Sequence, residues 1–210
     1  GSAIVRAFET AGAEVIAVDI NTKALANQEF SPKVLLKTLD LTNSDQVKEL
    51  TNDIVRQYGG VDILVSNAGT APQASILDMD EDLLRRSLDI NFFAHFHLAQ
   101  AIGRVFVAQG NSGQMLFNIS KQAVNPGRNF GAYGLPKAAL MALIKQLALE
   151  LGGHGIRVNG VNADRIRSGI LTENLIANRA EARGITVEKY MQGNLLEEEV
   201  EAHHVAEAFL

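Results

Sequence analysis

Apolar and polar positions alternate between two periods along the 210 residues. Ser2–Ala11 has the helical spacing, and Gly12 can close that helix. Glu14-Val15-Ile16-Ala17-Val18-Asp19 is a short continuous apolar run bounded by turn residues, which predicts a buried strand. A short helix follows from Asn21, and Val34–Lys37 predicts a second strand. Asp45–Tyr58 is amphipathic at 3.6-residue spacing and closes on Gly59-Gly60, so it predicts a helix. Val61–Val65 predicts the third strand, and Asp80–Val107 one long helix. The run Gln114–Ile119 predicts the fourth strand, Tyr133 to about Leu151 a helix, and Ile156–Val161 the fifth strand. The remainder, to Leu210, reads as helical or irregular.

Strands separated by helices of this length imply right-handed crossovers and a doubly wound parallel α/β sheet covered on both faces. With four prolines, no low-complexity stretch and no repeat, the expectation is a single domain over residues 1–210. The net charge of −5 argues against nucleic acid or an anionic membrane as the main partner. No apolar run reaches the length of a membrane span. Cysteine is absent, which removes disulfides, thiolate metal sites and thiol nucleophiles, and fits a cytoplasmic location. No spacing of His, Asp or Glu suggests a metal. His95 and His97 stand two apart on a helix, on different faces, and are set aside as ligands.

The candidate chemistry lies between the fourth strand and the helix after it. Tyr133 and Lys137 are four apart on one helical face, and Ser120 stands thirteen residues before Tyr133 at a strand end. A free Tyr has a pKa near 10 and is a poor acid or base at neutral pH. A nearby Lys cation favours the phenolate and is expected to lower that pKa. A Ser hydroxyl can hold a carbonyl or alcohol oxygen while the proton moves. Together these groups suit redox chemistry at an alcohol or carbonyl carbon.

Five landmarks in order make the chain resemble the short-chain dehydrogenase/reductase family over nearly its whole length. They are Asp19, Asp40-Leu41, Asn67-Ala68-Gly69, Asn91, and Ser120 with Tyr133 and Lys137. The resemblance implies a Rossmann-type sheet, an NAD cofactor, and alcohol–carbonyl interconversion. It makes Asn91, Ser120, Tyr133 and Lys137 the catalytic set. It places Asp19, Asp40, Leu41, Asn67, Ala68, Gly69, Tyr133 and Lys137 at the cofactor. Asp19 at the second family strand can bind both ribose hydroxyls and repel a 2′-phosphate, favouring NAD over NADP; it could equally cap the segment from Ile20. Asp40 meets the adenine edge in the family's pattern, or is a cap or turn residue. Asn67-Ala68-Gly69 lets backbone approach the cofactor, or is a plain strand-end turn. Asn91 is expected to bond its own helix backbone, kink it and carry a proton relay, or to be an ordinary satisfied buried Asn.

The chain also departs from the family. Ser66 stands where Asn is usual, and Lys121 follows Ser120 where a second serine is common; the thirteen-residue spacing favours Ser120. Asn162–Gly169 replaces a Pro-Gly segment with a charged run that either contacts a polar or anionic substrate or is a solvated loop. Pro136 is read as lying near a helix start, where its missing N–H had no partner. The family's first strand with its Thr-Gly-x-x-x-Gly-x-Gly loop, central in the order 3-2-1-4-5-6-7, and its last strand lie outside the sequence given. Gly1 is then either the loop's last glycine or an extraneous residue.

The segments 118–127, 164–169 and 193–196 resemble the dehydrogenase half of bacterial bifunctional aldolase/short-chain dehydrogenases of deoxysugar breakdown. That implies a small hydroxy-aldehyde or polyol of sugar catabolism as substrate. Packing of the two longest helices against their copies implies a homodimer or homotetramer. The reading from another class is a non-catalytic, NAD-sensing or scaffold protein on the same fold.

Overall fold

A computed structural model describes all residues, 1–210. Five strands alternate with helices, as the pattern predicts: α1 (Ser2–Thr10), β1 (Ile16–Asp19), α2 (Thr22–Ala26), β2 (Leu35–Thr38), α3 (Ser44–Tyr58) and β3 (Ile63–Ser66). Then come α4 (Glu81–Leu88), α5 (Ala94–Gln109), β4 (Gln114–Asn118), α6 (Gly131–Leu151), β5 (Arg157–Val161), α7 (Glu173–Glu181), α8 (Val187–Met191) and α9 (Ala202–Glu207). Side-chain caps set several helix starts. Asn43 accepts from the Asp45 and Gln46 amides, Asp80 from Asp82, and Thr172 from Leu175. Gly59 ends α3 in the left-handed region at φ 83, where a side chain would be strained.

All strand pairs are parallel, but they form two ribbons: β1 with β2, and β3-β4-β5. No ladder joins β1 to β3. Strand β4 shows how both sheet faces are covered. Met115 and Phe117 pack with Leu64, Ile102, Phe106, Leu140 and Ile144 under α5 and α6. Leu116 points the other way and packs with Ile4, Ala206 and Phe209 of α1 and the α9 end. Period-two alternation with both sets apolar is the signature of a strand buried on two sides. A separate cluster of Leu171, Ile176, Ala180, Tyr190 and Met191 holds α7 to α8. No helix is long and apolar enough to cross a membrane.

Two expectations need correction. The long helix predicted over Asp80–Val107 is interrupted by one π-helical turn, Asp89–Phe93, between α4 and α5. Such turns insert one extra residue and re-aim the side chains that follow. Pro136 is not at a helix start, because α6 begins at Gly131. It is tolerated five residues in, at the cost of one i→i−4 bond to Ala132.

Candidate active site

The carboxyl ends of β1 and β3 and the start of α1 meet in one place. Asp19 ends β1, and its Oδ1 accepts a 2.8 Å bond from the Asn21 amide. Asn21, not Asp19, caps α2, which removes the capping alternative for Asp19. Gly1 forms the N-cap of α1. A Cβ on Gly1 would lie 3.1 Å from Asn67 Nδ2. So an N-terminal helix end, an exposed carboxylate and the Asn67 turn converge. Asp40 plays the turn role: its Oδ1 accepts from the Thr42 amide at 2.9 Å and from Thr42 Oγ1 at 2.8 Å. The neighbouring Leu41 carbonyl is 3.5 Å from His97 Nδ1.

Segment 66–70, after β3, is tied down at several points. Asn67 Oδ1 accepts from Asn118 Nδ2 at 2.8 Å. The Thr70 amide donates to Asn91 Oδ1 at 3.1 Å, and Asn91 Nδ2 donates to Ser87 Oγ at 2.9 Å. Asn91 is fully buried. It therefore bonds another segment's backbone, not its own helix backbone as expected, and the helix irregularity is the π turn that carries it. A side chain at Gly69 would be tight: a Cβ would lie 3.0 Å from Asn91 Oδ1 and 3.8 Å from Lys137 Nζ. That close approach is what the Gly provides.

Ser120 follows β4, is 8% exposed, and accepts from the Gln122 amide at 3.2 Å, starting a short 3-10 turn, Lys121–Ala123. Tyr133 lies in the first turn of α6, which packs on that 3-10 turn: a Cβ on Gly134 would meet the Gln122 carbonyl at 3.2 Å. Burial raises the Tyr133 pKa, and the Ser120 side chain opposes the rise. The Ser120 side chain therefore lies near the phenol, but the two hydroxyls form no hydrogen bond at the expected distance of about 2.6–3.2 Å; the hydrogen bond of Ser120 Oγ is to the Gln122 amide. Lys121 turns away, its Nζ 3.1 Å from Asp164, so the alternative with Lys121 beside Tyr133 is not what the fold builds.

Lys137 is one helical turn beyond Tyr133, is 3% exposed, and donates from Nζ to the Asn118 carbonyl at 2.9 Å. Burial lowers its pKa to about 8. Its Nζ is 6.0 Å from the Tyr133 ring centroid. The expected depression of the Tyr133 pKa is absent from this arrangement. Desolvation of the phenolate dominates, and the ammonium is aimed at a backbone carbonyl.

The charged run after β5 is largely exposed, and its charges are paired. Asp164 lies between Lys121 and Arg165, 3.6 Å from the latter. Arg165 Nη1 donates to the Tyr190 carbonyl at 2.7 Å and the Gly193 carbonyl at 3.0 Å. Arg167 is held by Glu199 and Glu173. These pairs neutralise the run and strap the exit of β5 to α7, α8 and the loop beyond. The sequence marks Ser66 only as a departure and sets His95 aside as a ligand; the fold buries the two together behind the turn, Oγ to Nδ1, at 2.6 Å. Their separation of 29 residues gives no local signal. No cluster of three or more His, Cys, Asp or Glu is placed to hold a metal.

A family model described as enoyl-(acyl carrier protein) reductase matches residues 1–210. The chain is 34% identical over 175 residues to (+)-borneol dehydrogenase 1 of Salvia officinalis, covering 81% of this chain and 66% of that one. It is 33% identical over 166 residues to the 7alpha-hydroxysteroid dehydrogenase of Escherichia coli strain K12, covering 77% and 64%. The chain thus spans somewhat less than two thirds of the length of these relatives. A solved NAD+-bound xylitol dehydrogenase is similar at a TM-score of 0.88 and 25% identity, covering 99% of this chain and 85% of that one.

Proposed function

The chain belongs to the short-chain dehydrogenase/reductase family, and on that premise we propose that residues 1–210 form a single domain that interconverts an alcohol and a carbonyl with NAD(H). The observation that carries this reading is the convergence of four polar side chains from separate elements. Buried Asn91 and Lys137 gather beside the Gly69 turn, and buried Ser120 lies near the half-buried Tyr133, whose ring centroid is 6.0 Å from Lys137 Nζ.

The residues present fit a dinucleotide. The α1 N-terminus favours phosphate, Asp19 favours a ribose diol, and the space at Gly69 is one a Cβ would fill. Asp40 and Leu41 would border the adenine, and Asn67, Ala68 and Gly69 would lie along the cofactor. When bound, the nicotinamide supplies hydride acceptance and donation. The protein's part is orientation and proton transfer. Ser120 Oγ orients the substrate oxygen, and Tyr133 gives or takes its proton. Burial keeps the phenol protonated in the ligand-free pocket, which suits donation to a carbonyl. In the oxidising direction a phenolate would need the charge of Lys137, which would also hold the nicotinamide ribose when NAD is bound. Asn91 links the pocket to the proton relay.

Cofactor choice follows from Asp19. A carboxylate at the ribose repels a 2′-phosphate, so NAD should be used far more efficiently than NADP, and Asp19→Ala should narrow the gap. The check is kcat/KM with each cofactor, on protein that includes any segment the gene encodes before Gly1. Equal efficiency in the unaltered protein would sink the assignment.

For the substrate we propose a small hydroxy-aldehyde or polyol of sugar catabolism, as in the dehydrogenase half of aldolase/short-chain dehydrogenases. The support is the sequence likeness of segments 118–127, 164–169 and 193–196. The rival reading, a non-catalytic NAD sensor or scaffold, predicts NAD binding without turnover. The intact Ser120, Tyr133 and Lys137 set favours the enzyme.

We also propose a homodimer or homotetramer built on α5 and α6. On α6, Leu140 and Ile144 face the core, while Leu135 is 54% and Leu149 79% exposed; on α5, Val107 is 41% exposed. An apolar face beyond the one that covers the sheet implies a partner, and twofold symmetry lets each helix meet its copy. Light scattering should show a dimer or tetramer at micromolar concentration, and a clean monomer would refute this.

A further inference from the structure

The 66–70 turn is gripped at both ends by one helix surface. Asn91 and His95 are four residues apart, across the junction of the π turn and α5, and so lie one turn apart on one face. Asn91 Oδ1 holds the amide of Thr70, at the far end of the turn. His95 Nδ1 holds Ser66 Oγ, at the near end, at 2.6 Å. Both histidine and serine are 1% exposed or less. Between these two anchors lie Asn67, Ala68 and Gly69, with Gly69 pressed against Asn91 and Lys137.

We propose that the Ser66–His95 pair is a positioning device for the cofactor turn: it fixes the Asn67–Gly69 backbone where the nucleotide docks. This rests on the NAD-binding reading above. His95 touches neither substrate nor cofactor and acts through the backbone it holds.

Three observations support the assignment. The imidazole is neutral, its pKa lowered to about 3 by burial and then by the Lys137 charge, with an Ala68 backbone hydrogen bond opposing. A neutral ring has one donor and one acceptor, so it can bond Ser66 without adding a cation beside Lys137. Next, a polar ring in a buried site is kept where it has a polar partner to hold, and Ser66 is that partner. Finally, the bond spans two elements, β3 and α5, which the sheet itself does not lock at this point. A Cβ at Gly69 would lie 3.0 Å from Asn91 Oδ1, so the backbone of the turn runs close to the side chain that anchors its far end.

The test uses His95→Leu, His95→Asn, Ser66→Ala and the Ser66→Ala/His95→Leu double variant. An Asn amide reaches the position of imidazole Nδ1, so His95→Asn should keep the bond. Leu fills the volume and removes it. NAD affinity is measured by titration calorimetry, exchange of the 67–70 amides by hydrogen–deuterium exchange, and stability by thermal melting. His95→Leu and Ser66→Ala should each weaken NAD binding on the order of tenfold, the scale of coupling between buried contacting groups. The double variant should be no worse than either single. The 67–70 amides should exchange faster in all three, with the melting temperature little changed, and His95→Asn should restore both readouts. Unaltered NAD affinity and unaltered exchange in His95→Leu would overturn the proposal. So would additive losses in the double variant. Should His95→Leu fail to fold, Ser66→Ala, which removes only a hydroxyl, decides alone. Absence of NAD binding to the unaltered protein would instead contradict the functional reading, and the exchange data would still judge the positioning role.

Discussion

Replacing Tyr133 with Phe is expected to lower turnover by about a hundredfold or more, with NAD binding near that of the unaltered protein. The substitution deletes one hydroxyl from a residue that stays packed near Phe130, ring centroids 6.5 Å apart. The fold keeps the ring, and the reaction loses the proton donor that lies near the Ser120 side chain. Steady-state rates and NAD titration on the same sample separate the two effects. Retention of more than about a tenth of the rate would rule out the general acid–base role. A parallel loss of NAD affinity would mean the hydroxyl serves binding instead.

The second large effect concerns Lys137, where function and stability should move in opposite directions. Its ammonium is 3% exposed and has one carbonyl partner. Lys137→Met keeps the length and removes the charge, so activity and NAD affinity should both fall, while the fold gains stability at neutral pH. Replacing a buried charge by an apolar group of similar shape is often neutral or stabilising. The pH dependence follows from the sign of the shift. Folded Lys137 gives up its proton near about 8; in the unfolded chain it keeps the proton to about 10.4. Between those values the unfolded chain binds more protons, so raising the pH favours the folded state across that window. Below it, the charged folded form carries the full cost, about 3 kcal/mol from a shift of this size. Denaturant midpoints below and above the window should therefore rise with pH in the unaltered protein and stay flat, by comparison, in Lys137→Met. A Lys137→Met protein that is less stable below the window would show that the carbonyl bond outweighs desolvation.

Much of this site was legible because its signals are local. Tyr133 and Lys137 share a helix face, and Ser120 ends an apolar run. Strand β4 reads as continuous apolar sequence because both its faces are covered. The sign of the Tyr133 shift was not legible. The spacing to Lys137 predicts a lowered pKa, whereas the direction is set by how much of the phenol the folded chain covers, and it goes up. The partner of Asn91 was equally hidden. An amide inside an apolar helix announces a polar contact but not that the contact is Thr70, 21 residues away. The charged run 164–167 looked available to a substrate because its counter-charges, Lys121, Glu173 and Glu199, are scattered along the chain. His95 shows the same limit. Its spacing to His97 says nothing of Ser66, 29 residues away.

The most direct test of the central claim is NADH absorbance in the purified protein, with NAD and a panel of small polyols and hydroxy-aldehydes, and with NADH and the matching carbonyls. The account predicts catalytic turnover of NAD(H) with at least one of these substrates, abolished in Tyr133→Phe. Saturable NAD binding with no turnover of any alcohol or carbonyl would contradict it and point to the sensor or scaffold reading.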